Sequence, residues 1–140
     1  MKIRDIMTRN VETISADTPL QEAAATMERL DTGFLPIGST PQDKLLGVVT
    51  DRDITVRGVA KGLDPANTTV DRVKSDRVLY CFEDDSAEDA ARNMGEQEVY
   101  RLVVLDNAED KRLSGIVTLA DIGRSAGVRL SGAATREISA

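Results

Sequence analysis

The chain has 140 residues, of which 41% are apolar, 30% charged and 3% aromatic, with no Trp and no His. This is the balance of a soluble globular domain with an aliphatic core, and its length lets it bury about two thirds of its unfolded surface. The absence of His excludes Ser-His and Cys-His nucleophile pairs, imidazole bases and His-containing zinc sites, so no catalysis is expected. The formal net charge of -6 sets up a field that repels nucleic-acid backbones and anionic lipid surfaces, so neither is expected as a partner. A single cysteine, Cys81, excludes an internal disulfide. No stretch has the length of a membrane span, and Met1-Lys2-Ile3-Arg4-Asp5 is not followed by the apolar run of a signal peptide, which leads to a cytoplasmic expectation.

Taken in order, Val11 to Ser15 reads as a short strand. Leu20, Ala23, Ala24 and Met27 then recur at i, i+3, i+4 and i+7, the spacing of a one-faced helix. Thr18 with Gln21 is placed to bond reciprocally to its first free N–H groups, and Pro19 fits its first position. Gly33-Phe34-Leu35-Pro36-Ile37 reads as a buried strand, Gly38 to Lys44 as a hairpin turn, and Leu46 to Thr50 as its return strand, before a second helix opening at Asp51. Gly62-Leu63-Asp64-Pro65-Ala66-Asn67 has the residues that stop a helix and make a turn.

The pattern then repeats. A strand near Val78 to Phe82 leads to Ala87, Ala90, Ala91 and Met94 at the same helical spacing, with Ser86 and Asp89 at its start. Tyr100 to Val104 and Ser114 to Thr118 form the hairpin strands about a turn at Asp106 to Lys111, and a last helix opens at Leu119. Met27 and Met94 are 67 residues apart, and Asp53 and Asp121 are 68 apart, one residue having entered the turn. Each copy reads as β-α-β-β-α.

The expected organisation is therefore a first repeat at 1–62, a linker at 63–69, a second repeat at 70–126 and a loose tail at 127–140. The fold class is α/β in its α+β form. Neither repeat covers both faces of its own sheet, so the two are expected to pack through their sheets about a pseudo-two-fold, with two clefts between them. The small-residue helix faces are expected to be core or the seam of a homodimer.

The order of these elements, with Gly-Val-Val-Thr-Asp-Arg-Asp-Ile at 47–54 and Gly-Ile-Val-Thr-Leu-Ala-Asp-Ile at 115–122 before the last helix of each copy, resembles the CBS domain. Two copies in register resemble a tandem CBS pair, or Bateman module, over roughly residues 1 to 126. The run from Thr50 through Arg57-Gly-Val-Ala-Lys-Gly-Leu-Asp-Pro65 resembles the small stand-alone bacterial CBS-pair proteins of the hypoxic-response type.

The resemblance implies a regulatory module whose clefts hold an adenosine-containing ligand such as AMP, ADP, ATP or S-adenosylmethionine, with no cofactor required. By motif, Asp53 and Asp121 would accept from the ribose hydroxyls, with Thr50 and Thr118 beside the ribose or phosphate. Val48 and Ile116, with the backbone of Thr13-Ile14 and Tyr80-Cys81, would form the adenine slot. Arg101 would serve the phosphate in the cleft of Asp53, and Arg52 that in the cleft of Asp121. The pattern departs from the family at Gly33-Phe34, Ala120 and Val103, where basic residues or a proline could stand. If only one cleft is occupied, it is expected to be the one pairing Asp53 with Arg101.

Two other readings stay open. Thr50-x-x-Asp53 and Thr118-x-x-Asp121 are also helix-capping signatures, which account for both pairs with no nucleotide. A structural or adaptor homodimer with empty clefts, working through an unknown protein effector, is the alternative function. Cys81 is expected to be an inert core residue.

Overall fold

The computed structural model describes residues 1–9, 11–38, 45–75 and 78–126. Residues 39–44 of the expected first turn and the expected tail at 127–140 lie outside the described residues. The fold is of the mixed α+β class, with a two-stranded and a three-stranded sheet among the described residues. It divides into two compact units that cut across the two sequence copies: one spans Glu12–Val78, the other joins Met1–Val11 to the chain from Leu79 onward. Each unit thus holds the helices and hairpin of one copy and the opening arm of the other.

In the unit spanning Glu12–Val78, helix α1 (Leu20–Leu30) buries Leu20, Ala23 and Met27. These pack with Leu35 and Ile37 of strand β1 (Phe34–Gly38), Val49 of strand β2 (Leu45–Thr50), Ile54, and the arm residues Val70 and Val73. Strands β1 and β2 are antiparallel, with Phe34 opposite Thr50 and Pro36 opposite Val48. The arm makes a 3-10 turn at Val70–Arg72 and then pairs with β2, Val48 and Ser75 exchanging both backbone hydrogen bonds at 3.2 and 2.9 Å.

The other unit repeats this plan. Its arm turns at Ile3–Asp5. Strand β3 (Tyr80–Phe82) runs parallel to β4 (Arg101–Leu105), and β4 pairs antiparallel with β5 (Leu113–Thr118). Helices α3 (Ala87–Gln97) and α4 (Leu119–Ala126) complete it. Ile3, Met7, Cys81, Ala90, Ala91, Met94, Leu102, Val104, Val117, Leu119 and Ile122 form its core. The arm bonds here join Thr8 and Ile116, at 2.8 and 3.1 Å. Ile3 and Val70, 67 residues apart, are both 0% exposed. Burying such a side chain contributes about 1.5–3 kcal/mol, enough to hold each arm in place.

Three expectations are corrected. The strand predicted at Val11 to Ser15 is reduced to a single parallel bridge between Ile14 and Ile37. The reason is Pro36. In the second copy the N–H of the matching residue, Val103, donates to the carbonyl of Leu79 at 3.2 Å, and proline has no N–H to offer. The first copy therefore has no third strand among the described residues.

The capping box predicted for Thr18 and Gln21 does not form. Helix α1 starts one residue later, with Pro19 as its N-cap and no side-chain cap. Its first amides are met by the linker instead: Leu20 N–H donates to Thr68 O at 2.8 Å and Gln21 N–H to Pro65 O at 3.1 Å. At α3 half of the predicted box forms, Asp89 N–H donating to Ser86 Oγ at 3.0 Å, while Asp89 turns its carboxylate to Arg92 at 2.9 Å.

The second helix of the first copy is irregular. Its α-helical turn α2 (Asp51–Asp53) widens into a π-helical turn at Ile54–Gly58, tightens to a 3-10 turn at Val59–Lys61, and stops at Gly62, whose φ of 74° takes the left-handed conformation glycine favours. The matching helix α4 is α-helical throughout.

Candidate functional site

The expected site residues gather at the end of each hairpin where the last strand enters a helix. In the unit spanning Glu12–Val78, Thr50 and Asp53 cap α2 reciprocally: Thr50 N–H donates to Asp53 Oδ2 at 3.0 Å, and Asp53 N–H to Thr50 Oγ1 at 3.0 Å. In the other unit Thr118 N–H donates to Asp121 Oδ2 at 2.9 Å, and Asp121 N–H to Thr118 Oγ1 at 3.1 Å. Both pairs are thus helix caps, as the second reading of the motif anticipates. A cap and a ligand contact are not exclusive, because a carboxylate has about four lone-pair sites and the cap uses one oxygen.

The second oxygen distinguishes the copies. Asp121 Oδ1 is held by Arg124 Nη2 at 2.5 Å. Among the described residues Asp53 Oδ1 has only Arg57 Nε at 3.9 Å, outside hydrogen-bond distance. The side chains of the two aspartates are 14% and 10% exposed, so each shows an edge to solvent. Arg57 and Arg124 are not among the expected site residues. Their signal is helical spacing, four and three residues beyond the aspartate, where opposite charges meet on one face.

Strand register places the remaining expected residues. Tyr80, Val103 and Ile116 lie in one row across β3, β4 and β5. Directly opposed residues share a face, so the expected slot residues Tyr80 and Ile116 are brought to one face of the sheet. Ile14 N–H donates to the carbonyl of Pro36 at 3.1 Å, and Pro36 stands opposite Val48, so Thr13-Ile14 and Val48 flank the same strand. Cys81 points the other way, into the core. Burial, with the Asp85 charge adding to it, pushes its thiol up to about 12, far above the range of a reactive thiolate.

Arg101 lies opposite Thr118 in register, within one unit. Its counterpart Phe34, buried, lies opposite Thr50. Arg52 is exposed, its backbone N–H taken by Asp51 Oδ1 at 2.8 Å. The expected partners Arg101 and Asp53 belong to different units, as do Arg52 and Asp121.

A concavity of about 470 Å³ on the Glu12–Val78 unit, between α1 and the start of the second helix, contains none of the expected residues. Glu28, Asp31 and Asp51 line it, and three carboxylates disfavour a phosphate. Among the described residues there is no group of three or more Cys, Asp or Glu side chains arranged to hold a metal ion. No described helix is long and apolar enough to cross a membrane.

Two copies of one α+β repeat, each ending its hairpin in a Thr-x-x-Asp cap, match the sequence profile of the CBS domain at residues 3–58 and 70–125. The chain belongs to the CBS-domain family and carries the domain as a pair. It is 39% identical over 121 residues to Hypoxic response protein 1 of Mycobacterium tuberculosis, covering 86% of this chain and 82% of that protein. A crystal structure of Hypoxic Response Protein I with two coordinated zinc ions aligns with a TM-score of 0.77, over 89% of this chain and 98% of the other. The chain also resembles CBSX2 in complex with AMP, at 25% identity and a TM-score of 0.75 over 89% and 95% of the two chains. The CBS domain pair of MJ0100, in complex with 5′-methylthioadenosine and S-adenosyl-L-methionine, aligns at 26% identity and a TM-score of 0.76 over 92% and 98%.

Proposed function

We propose that this chain is a regulatory module that binds an adenosine-containing nucleotide, AMP being the first candidate. The ribose hydroxyls would donate to Asp53 and Asp121, Thr50 and Thr118 would lie beside the ribose or phosphate, and Arg52 and Arg101 would meet the phosphate. Adenine would lie against Val48 and Ile116 and the backbone of Thr13-Ile14 and Tyr80-Cys81. The observation that carries this reading is the geometry of Asp53: its cap fixes Oδ2, while among the described residues Oδ1 has no hydrogen-bond donor closer than the guanidinium at 3.9 Å. A pre-oriented carboxylate with a free acceptor suits a vicinal diol, and the AMP and S-adenosyl-L-methionine complexes of related pairs support an adenosyl ligand. Asp53 is then the stronger site and Asp121, already closed by Arg124, the weaker. Thermal-shift titration with AMP, ADP, ATP and S-adenosylmethionine tests the reading. A ligand that binds only the folded state raises the melting temperature with concentration; no rise at millimolar concentration of any of them contradicts it.

The relative's zinc is not carried over. This chain has no His, and its single Cys is buried with its thiol pushed up to about 12, whereas structural zinc sites are built chiefly from thiolates and imidazoles.

The second reading, a structural or adaptor homodimer, draws on the two reciprocal caps, which give Thr50, Asp53, Thr118 and Asp121 a structural role with no ligand. A homodimer is compatible with either function, but most of the Ala/Met helix faces is taken up by the cores. Ala23, Met27, Ala87, Ala90, Ala91 and Met94 are buried in the cores and Ala24 alone of those faces is exposed, while the exposed Leu30, Val56 and Val59 are among the larger apolar side chains open to a second copy. The reading places the module in the cytoplasm, gives it no catalytic step, and leaves its effect to a protein effector that senses the liganded state.

A further inference from the structure

Arg57 reaches in two directions at once. Its Nε lies 3.9 Å from Asp53 Oδ1, and its Nη1 donates to the carbonyls of Val73 at 3.4 Å and Lys74 at 3.2 Å. Those carbonyls belong to the arm that follows the linker, pairs with β2 through Ser75 and Val48, and leaves this unit at Val78. The widened helical turn makes the reach possible. Val59 N–H donates to Ile54 O, five residues back, so the residue four beyond Asp53 stays over that carboxylate while its fork extends to the arm. The second copy differs. Arg124, three residues beyond Asp121 in a regular helix, closes on its aspartate at 2.5 Å. Among the described residues no side chain donates to Ile6 or Met7, the counterparts of Val73 and Lys74 in the other arm.

We propose that Arg57 is a positioning residue that ties the state of the Asp53 carboxylate to the arm at Val73–Ser75, and that the second copy has no equivalent tie. All three contacts of Arg57 are long, as expected for one guanidinium shared between a carboxylate and two carbonyls. When Oδ1 of Asp53 accepts a hydroxyl, its pull on Arg57 weakens and the fork settles on the two carbonyls, tightening the arm. That ligand step rests on the nucleotide reading given above, whereas the tie itself is a property of the ligand-free protein.

Amide hydrogen exchange of the full chain, with and without AMP, tests both parts separately. The reporters are the N–H groups of Val73, Lys74 and Ser75, bonded at 3.1, 2.8 and 2.9 Å, and the control is Thr8 N–H in the other arm. Without ligand, Arg57→Met should speed exchange at Val73–Ser75 by about three-fold, a modest effect because the side chain is half exposed, and Arg57→Lys should restore part of it. Asp53→Asn keeps a cap acceptor but removes the charge, so it should slow exchange there by a similar factor, with Thr8 unchanged. Unchanged exchange at Val73–Ser75 in Arg57→Met, or equal changes at Thr8, overturns the tie. With AMP, Val73–Ser75 should gain protection in the wild type and not in Arg57→Met. Protection at Thr50–Asp53 without any at Val73–Ser75 overturns the ligand step. If AMP protects nothing, the nucleotide reading falls and the ligand step with it, while the ligand-free comparison still decides the tie.

Discussion

The main chain of Thr8 passes so close to Gly115 that its carbonyl occupies the space where a side chain at that position would begin. The same relation recurs between the matching residues of the other unit, 68 residues earlier for the glycine and 67 later for the carbonyl, where a Cβ on Gly47 would stand 2.9 Å from the carbonyl of Ser75. The two glycines that open the most recognisable motif of each copy are there for the arm. Gly115→Ala should therefore destabilise the protein by about 1–3 kcal/mol, the usual range for overpacking, because the obstacle is backbone and cannot rotate away. Gly47→Ala should cost less. Thermal denaturation reads this as a drop of several degrees for Gly115→Ala; an unchanged midpoint would mean the arm is not held against β5.

Removing either cap hydroxyl should weaken the fold without removing it. Thr50→Val and Thr118→Val keep the side-chain shape and lose the acceptor for Asp53 N–H and Asp121 N–H. Each should cost about 1 kcal/mol in chemical denaturation, the ordinary value of an N-cap. Equal stability of both variants with the wild type would show that the capping boxes contribute nothing.

Cys81 should be silent toward alkylating reagents in the native state and reactive once unfolded. Its native thiol is raised to about 12 from an ordinary 9.0, chiefly by burial. A raised thiol pKa means the folded state favours the neutral form. The contribution to stability is thus complete below pH 9 and is lost as pH climbs toward 12, because the unfolded thiol ionises first. Stability should fall across that window in the wild type and fall less in Cys81→Ala. Rapid native labelling at pH 8 would contradict the burial.

How much of this was legible in the residues varies by element. The repeat, the two Met-bearing helices and the Thr-x-x-Asp caps follow from local spacing, whereas the second helix of the first copy is broken into α, π and 3-10 turns that the spacing does not show. The start of α1 was not legible, because its first amides are satisfied by Thr68 and Pro65, which are local to nothing near residue 20. Pro36 could have warned that the strand at Val11 to Ser15 would fail, since a proline in a middle strand removes a ladder bond. The exchange of arms between units is invisible to periodicity: Ile3 and Met7 announce a buried face but not which sheet will bury it. Arg57 and Arg124 carry a local signal, opposite charge at helical spacing from the aspartate, whereas the family motif around Asp53 and Asp121 points to Arg52 and Arg101.

Arg101 and Phe34 hold matching positions opposite Thr118 and Thr50, so the copies differ in charge where a phosphate is proposed to lie. Arg101→Ala should weaken binding of AMP more than binding of adenosine. Charge-assisted bonds to phosphate are the stronger kind, and the expected loss is about ten-fold in affinity for AMP. Equal losses for the two ligands would place Arg101 away from the phosphate.

Calorimetric titration of AMP into the wild type, Asp53→Asn and Asp121→Asn tests the central claim most directly. The account predicts measurable binding to the wild type, a loss of about ten-fold in Asp53→Asn with the fold retained, and a smaller loss in Asp121→Asn, whose free oxygen Arg124 already holds. No heat of binding at millimolar AMP, or an affinity in Asp53→Asn equal to that of the wild type, would contradict it and leave the two aspartates as helix caps alone.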